Sequence, residues 1–186
     1  MSLRTIVHVP DDVLRRKARP VVKFDEKLQA LIDDMVDTMR EAPGVGLAAP
    51  QVDVSERVIV VEYYANEAAA DEAEEEDQEK LAKKLYTIIN PEITRKSAEV
   101  ELGVEGCLSI PGINGEVERH IAITVKGQNR HGQPVTMKLK DWTARIFQHE
   151  IDHLNGILFT DIATRIWRTD APPEGDEQTD LHERPE

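Results

Sequence analysis

The run D-W-T-A-R-I-F-Q-H-E-I-D-H-L-N-G, residues 141–156, constrains this chain more than any other stretch. Asp141 is a residue type that caps helix N-termini, and Asn155-Gly156 is a stop signal. Nothing between them breaks a helix. Spacings of three and four put Trp142, Ile146, His149 and His153 on one stripe. Phe147, Ile151 and Leu154 fill a second apolar stripe, so the helix is expected to be buried around most of its circumference. The inward face then carries two histidines one turn apart, with Glu150 beside them. This is H-E-x-x-H. Imidazoles at i and i+4 reach one metal ion, and the carboxylate between them handles the proton of a metal-bound water. The pattern also arises by chance on solvated helices. On a buried one, unpartnered histidines and a carboxylate are costly, whereas one cation pairs them all.

Two histidines need a third protein ligand. The extension H-E-x-x-H-x-x-G-x-x-H is closed here: Gly156 stands at the glycine position, but Phe159 stands where the last histidine belongs. Beyond Phe159 only a short segment and an acidic tail remain, so a glutamate from a later helix is not expected. The ligand is sought upstream, where the chain has its single cysteine, Cys107, in V-E-G-C-L-S-I-P-G. A thiolate is a strong ligand for Zn, Fe or Ni. A lone cysteine is by default a small buried hydrophobe, but a turn bounded by Gly and Pro suits presenting a side chain to a site.

The 186 residues suit one domain with a single core. No apolar run approaches membrane-spanning length, and the start M-S-L-R-T-I-V-H-V-P lacks the apolar region of a signal peptide. One cysteine excludes an internal disulfide and fits a reducing, cytoplasmic setting. The net charge of −13 is uneven: residues 65–84 carry −5 and residues 169–186 carry −6, leaving −2 on the body. Such a chain is a poor candidate for direct nucleic-acid binding. The Ala/Glu-rich segment 65–84 reads as an insertion between two strands, a solvated helix or a disordered loop, and its residues 67–79 are expected to be dispensable for folding and catalysis. Residues 169–186 read as a disordered tail beyond a catalytic body of residues 1–168.

Elsewhere a short helical turn is expected after Pro10. Asp25 caps an amphipathic helix to about Glu41, with Leu28, Leu31, Ile32, Met35 and Met39 on its apolar face. The run P-G-V-G-L-A-A-P-Q, residues 43–51, lacks the Lys-Ser/Thr pair of a phosphate loop. Its Gln51 reads either as a hydrogen-bond donor to a substrate or as a brace for its own loop. Strands are expected over residues 57–64, 85–90, 97–104, 117–126 and 134–139, with a hairpin turn at residues 129–132. The stretch I-L-F-T-D-I reads as a short strand or turn, and His120 and His131 read as surface residues. The fold class is α+β, with largely antiparallel sheets packed around a central metal-binding H-E-x-x-H helix.

Three segments, G-V-G-L-A-A-P-Q, E-G-C-L-S and Q-H-E-I-D-H, together resemble the signature motifs of the peptide deformylases, in the same order. The resemblance runs to about Phe159. It implies metal ligands at Cys107, His149 and His153, a catalytic glutamate at Glu150, and oxyanion donors at the Gln51 side chain and the Leu108 backbone N–H. It also implies close substrate approach at Gly46. The implied cofactor is one Fe²⁺, for which Zn²⁺, Ni²⁺ or Co²⁺ can substitute. The implied reaction is removal of the N-terminal formyl group from formyl-methionyl nascent peptides by attack of a metal-bound water. Val45 and Ile146 are candidates to line an apolar pocket for the methionine side chain. Some members dock on the ribosome through a basic C-terminal helix. This acidic C-terminus lacks one, which leaves only proximity to the exit site as a ribosomal link. Two rival readings are a metallo-endopeptidase and a non-catalytic protein with a structural metal. Cys107 and the missing third histidine weigh against the first, and Glu150 and Gln51 would be idle in the second.

Overall fold

A computed structural model describes residues 2–78 and 80–170. The expected tail lies, from Ala171 on, outside the described residues. The elements run in the order α1 (Glu26–Glu41), β1 (Gly46–Ala48), β2 (Val58–Tyr64), α2 (Glu67–Glu72), α3 (Glu75–Gln78), β3 (Lys83–Lys96), β4 (Val100–Gly106), β5 (Ile113–His120), β6 (Ala122–Gln128), β7 (Pro134–Lys140), α4 (Asp141–Leu154), α5 (Phe159–Ile162) and β8 (Arg165–Arg168). Two 3-10 turns, Asp12–Arg15 and Ala49–Val52, complete them. The strands form a five-stranded sheet in the order β1-β2-β3-β6-β7 and a three-stranded sheet in the order β4-β5-β8. All their pairings are antiparallel.

The apolar run of β2 shows why the larger sheet is covered on both sides. Successive side chains alternate between faces. Ile59 and Val61 join Ala144, Phe147, Ile151 and Leu154 of α4 in one core. Val58 and Val60 join Leu28, Ile32, Met35 and Met39 of α1 in another. Helix α1 starts as its sequence dictates, with Asp25 accepting from the N–H groups of Lys27 and Leu28. A third core, containing Leu14, Ile110, Val117, Leu158 and Phe159, backs the smaller sheet. Helix α4 contacts strands of both sheets, β1, β2, β6 and β7 of the larger and β5 of the smaller. No described helix is long and apolar enough to cross a membrane.

Several local expectations are corrected. The single strand expected over residues 117–126 is two strands in different sheets, β5 and β6. The chain changes sheets at Ile121, whose N–H bonds to the Glu99 carbonyl and whose own carbonyl accepts from Asp141. Asp141 does not cap α4: it is the first helical residue, at φ 50°, and Lys140 at the N-cap makes no side-chain bond. The I-L-F-T-D-I stretch includes the short helix α5, not a strand. His120 is half-buried, with Nδ1 2.8 Å from the Ser97 carbonyl, whereas His131 is exposed as expected. Residues 65–84 are not a bare appendage either: they contain α2 and α3, Ala70 is buried, and Glu67 bonds to α4.

Candidate metal centre

One turn of α4 separates His149 from His153, so their rings stack edge to face with centroids 4.9 Å apart and their Nε2 atoms 3.2 Å apart. Cys107 lies just beyond β4, and its Sγ stands 3.3 Å from His153 Nε2. The three ligand atoms all lie within 4.8 Å of one another, the one such group of Cys, His and acidic side chains among the described residues. The spacing-based trio is thus brought together in space.

The surroundings set the protonation of His149. Its Nδ1 is 2.9 Å from Glu105 Oε2. Glu105 also accepts from Arg119 Nε and Nη2, each at 2.9 Å, and from Arg145 Nη1 at 3.0 Å. Burial would raise the Glu105 pKa, but the hydrogen bonds of Arg119 and His149 outweigh it and bring it down to about 2. Glu105 is therefore a carboxylate, His149 donates Nδ1–H to it, and Nε2 is turned to the cluster. Burial opposes charge on His149, yet Cys107, Glu105 and Glu150 draw its pKa well up. Burial and the neighbouring His149 push that of His153 well down. The cluster gathers one sulfur and two Nε2 atoms. His153 Nδ1 and Glu150 Oε2 are buried without a hydrogen-bond partner among the described residues. A divalent cation fits this donor set, since it uses soft S and borderline N donors together.

Glu150 is 4% exposed, and burial first of all pushes its pKa up to about 7, against the pull of His149. A carboxyl group with that pKa can take up and return a proton near neutral pH. Gly46 stands against it, and a Cβ there would overlap the Glu150 carboxylate. Gln51, in the 3-10 turn after β1, is 2% exposed. Its Oε1 accepts from Ala48 N–H at 2.9 Å, which turns Nε2 toward Ser109 Oγ at 3.2 Å and Cys107 Sγ at 3.6 Å. One end of Gln51 braces the loop, and the other end faces the cluster.

A cavity of about 330 Å³ opens over the cluster. Val45, Gly46, Gln51, Cys107, Leu108, Ile146, His149 and Glu150 all line it, and His153 lies buried behind them. Val45 is 43% exposed, on the rim, and Ile146 is buried. Sequence reasoning placed Trp142 on the histidine stripe without giving it a place in the cavity, and it missed Arg145 in the lining and Glu105 as the partner of His149. Glu105 was open to discovery, since it opens the E-G-C-L-S segment. Arg145 was not, because its partners lie on distant strands.

The sequence profile of the family described as polypeptide deformylase matches residues 3–168. A peptide deformylase of Desulforudis audaxviator is 47% identical over 168 residues, covering 90% of this chain and 98% of the relative. One of Thermus thermophilus is 48% identical over 150 residues, covering 80% of this chain and 76% of the relative. The crystal structure of peptide deformylase from Thermotoga maritima superposes with a TM-score of 0.77 at 41% identity, covering 89% of this chain and all of that one. The Met-Ala-Ser-bound class I type b peptide deformylase of Acinetobacter baumannii gives 0.76 at 37% identity, covering 87% of this chain and 98% of that one. With residues of all three signature segments lining one cavity and this agreement along nearly the whole described chain, the protein belongs to the polypeptide deformylase family.

Proposed function

We propose that this peptide deformylase works through one divalent ion held by Cys107, just beyond β4, together with His149 and His153 of a central metal-binding helix, α4. Peptide deformylases remove formyl groups from nascent peptides and are metal-dependent, and the chain carries that function. The observation that carries the finer reading is the meeting of Cys107 Sγ, His149 Nε2 and His153 Nε2 beside a buried Glu150. Fe²⁺ is the ion proposed, with Zn²⁺, Ni²⁺ or Co²⁺ as substitutes; a thiolate with two imidazoles accepts any of them. Residues 1–168 form the catalytic body in this reading, and its setting is the cytoplasm, with formyl-methionyl nascent peptides as partners and no direct nucleic-acid contact.

When bound, the ion supplies Lewis acidity, which polarises a carbonyl and makes water more acidic. The chain's own residues do the rest. Glu150 accepts a proton from the attacking water and then delivers it to the leaving amine nitrogen, as its raised pKa permits. Gln51 Nε2 and the Leu108 N–H donate to the oxygen that becomes negative in the tetrahedral state. Gly46 keeps the wall beside Glu150 free of side chain, so the formyl group, with only hydrogen on its carbon, comes close. Val45, Leu108 and Ile146 give the cavity apolar walls suited to methionine. The peptide bound in the Acinetobacter baumannii structure, Met-Ala-Ser, is the product such a reaction leaves on formyl-Met-Ala-Ser.

The test pairs elemental analysis of anaerobically purified protein with deformylation of formyl-Met-Ala-Ser. One ion per chain and turnover are expected in the wild type, and loss of both in Cys107→Ala. Full metal content in Cys107→Ala would overturn the ligand assignment.

A further inference from the structure

Helix α4 begins without a cap of its own, since Lys140 makes no side-chain bond there. The first N–H groups of a helix have no partner within it, and a carboxylate placed there satisfies them and meets the positive end of the dipole. Glu67 takes that place from the acidic segment. Its Oε2 accepts from Trp142 N–H at 3.0 Å, and its Oε1 accepts from Thr143 N–H at 3.3 Å and from the Thr143 hydroxyl. Glu67 is itself well anchored. It opens α2, whose N-cap Asn66 accepts from Ala69 N–H at 3.3 Å, and Ala70 beside it is buried. Gln78 donates to the Ala70 carbonyl at 2.9 Å and accepts from the Tyr64 hydroxyl at 3.4 Å, tying the segment back to β2. Glu72 and Glu74 in the same segment are exposed.

The N–H that Glu67 holds belongs to Trp142, which matters for the cavity. Trp142 is 38% exposed and stands between the cavity over the ligand cluster and a second one of about 230 Å³ that Glu67 and Tyr63 also line. Its ring has the Arg145 guanidinium 5.5 Å from its centroid. It is a wall residue, placed by the first turn of α4 and by that contact, not by burial in a core.

We propose that Glu67 is a positioning residue for the substrate cavity: by capping α4 it holds Trp142 as the cavity wall, so the acidic segment acts on how well the enzyme binds its formylated peptide. This rests on reading that cavity as the substrate's. A cap that fixes a wall acts on binding, so its loss appears in KM more than in kcat.

The test uses the full-length, metal-loaded enzyme carrying Trp167→Phe, which leaves Trp142 as its one tryptophan. Glu67→Ala should raise KM for formyl-Met-Ala-Ser about five-fold, the size of a lost helix cap, with kcat within about two-fold. It should also increase acrylamide quenching of Trp142. Glu67→Gln, which keeps an acceptor oxygen, should recover part of both effects, and Glu72→Ala should match the parent. Unchanged KM and quenching in Glu67→Ala, even with a lowered Tm, would overturn the proposal. If the parent did not deformylate the peptide, the cavity assignment would fall instead. Quenching needs no turnover and distinguishes that case.

Discussion

Gln51 shows how one side chain serves two ends. Its oxygen braces Ala48 and its nitrogen faces Cys107. Gln51→Ala is expected to lower kcat by roughly 10²–10³, the usual cost of an oxyanion donor, with KM and metal content little changed. It should also lower stability by about 1 kcal/mol for the lost brace. Steady-state kinetics, elemental analysis and thermal melts on one preparation check all three. Glu105 is the other decisive residue. Glu105→Ala strips the carboxylate from two buried arginines and from His149. The expected cost is roughly 3–5 kcal/mol for the uncompensated buried charge. A metal affinity lowered about 10–100-fold should accompany it, read by chelator competition. The clustering of Cys107, His149 and His153 was legible because i, i+4 spacing and a single cysteine leave few choices. Glu105 with Arg145, and Glu67 with Thr143, were not. Their pairing joins residues 40 and 76 positions apart, and no local periodicity records it.

Among elements, several whose signals are local matched the sequence, although Asp141 does not cap α4. Asp25 caps α1 and its apolar stripe is buried, and β2 and β7 fall within a residue of expectation. The break between β5 and β6 was hidden because the alternation of side chains runs on through Ile121. Only hydrogen bonds to Glu99 and Asp141 mark the change of sheet. Helix α4 ended as expected at Asn155, with Gly156 beyond it at φ 74°. A Cβ on Gly156 would lie 2.5 Å from the Arg15 carbonyl oxygen. Gly156→Ala combines left-handed backbone with that overlap and should destabilise by roughly 1–3 kcal/mol, measured by urea denaturation. A variant as stable as wild type would show that the Arg15 segment yields freely.

At the scale of the molecule, the proposed ligands come from two parts of the fold. Cys107 follows β4 of the smaller sheet, while α4 packs its apolar face on the larger one. An ion shared by these residues, as proposed, would tie the sheets together, and binding to the folded state alone would stabilise it by mass action. Chelation should therefore lower Tm, and restoring free metal to about 100 times its Kd should return about 2.7 kcal/mol. A Tm independent of free metal would mean that the cluster is not a folded-state metal site.

Turnover of formyl-Met-Ala-Ser by Glu150→Gln protein of measured metal content tests the central claim most directly, because it separates holding the ion from moving the proton. The expected result is metal content equal to the wild type and kcat lowered by at least ~10²-fold. A wild-type kcat in the metal-loaded Glu150→Gln protein would contradict it.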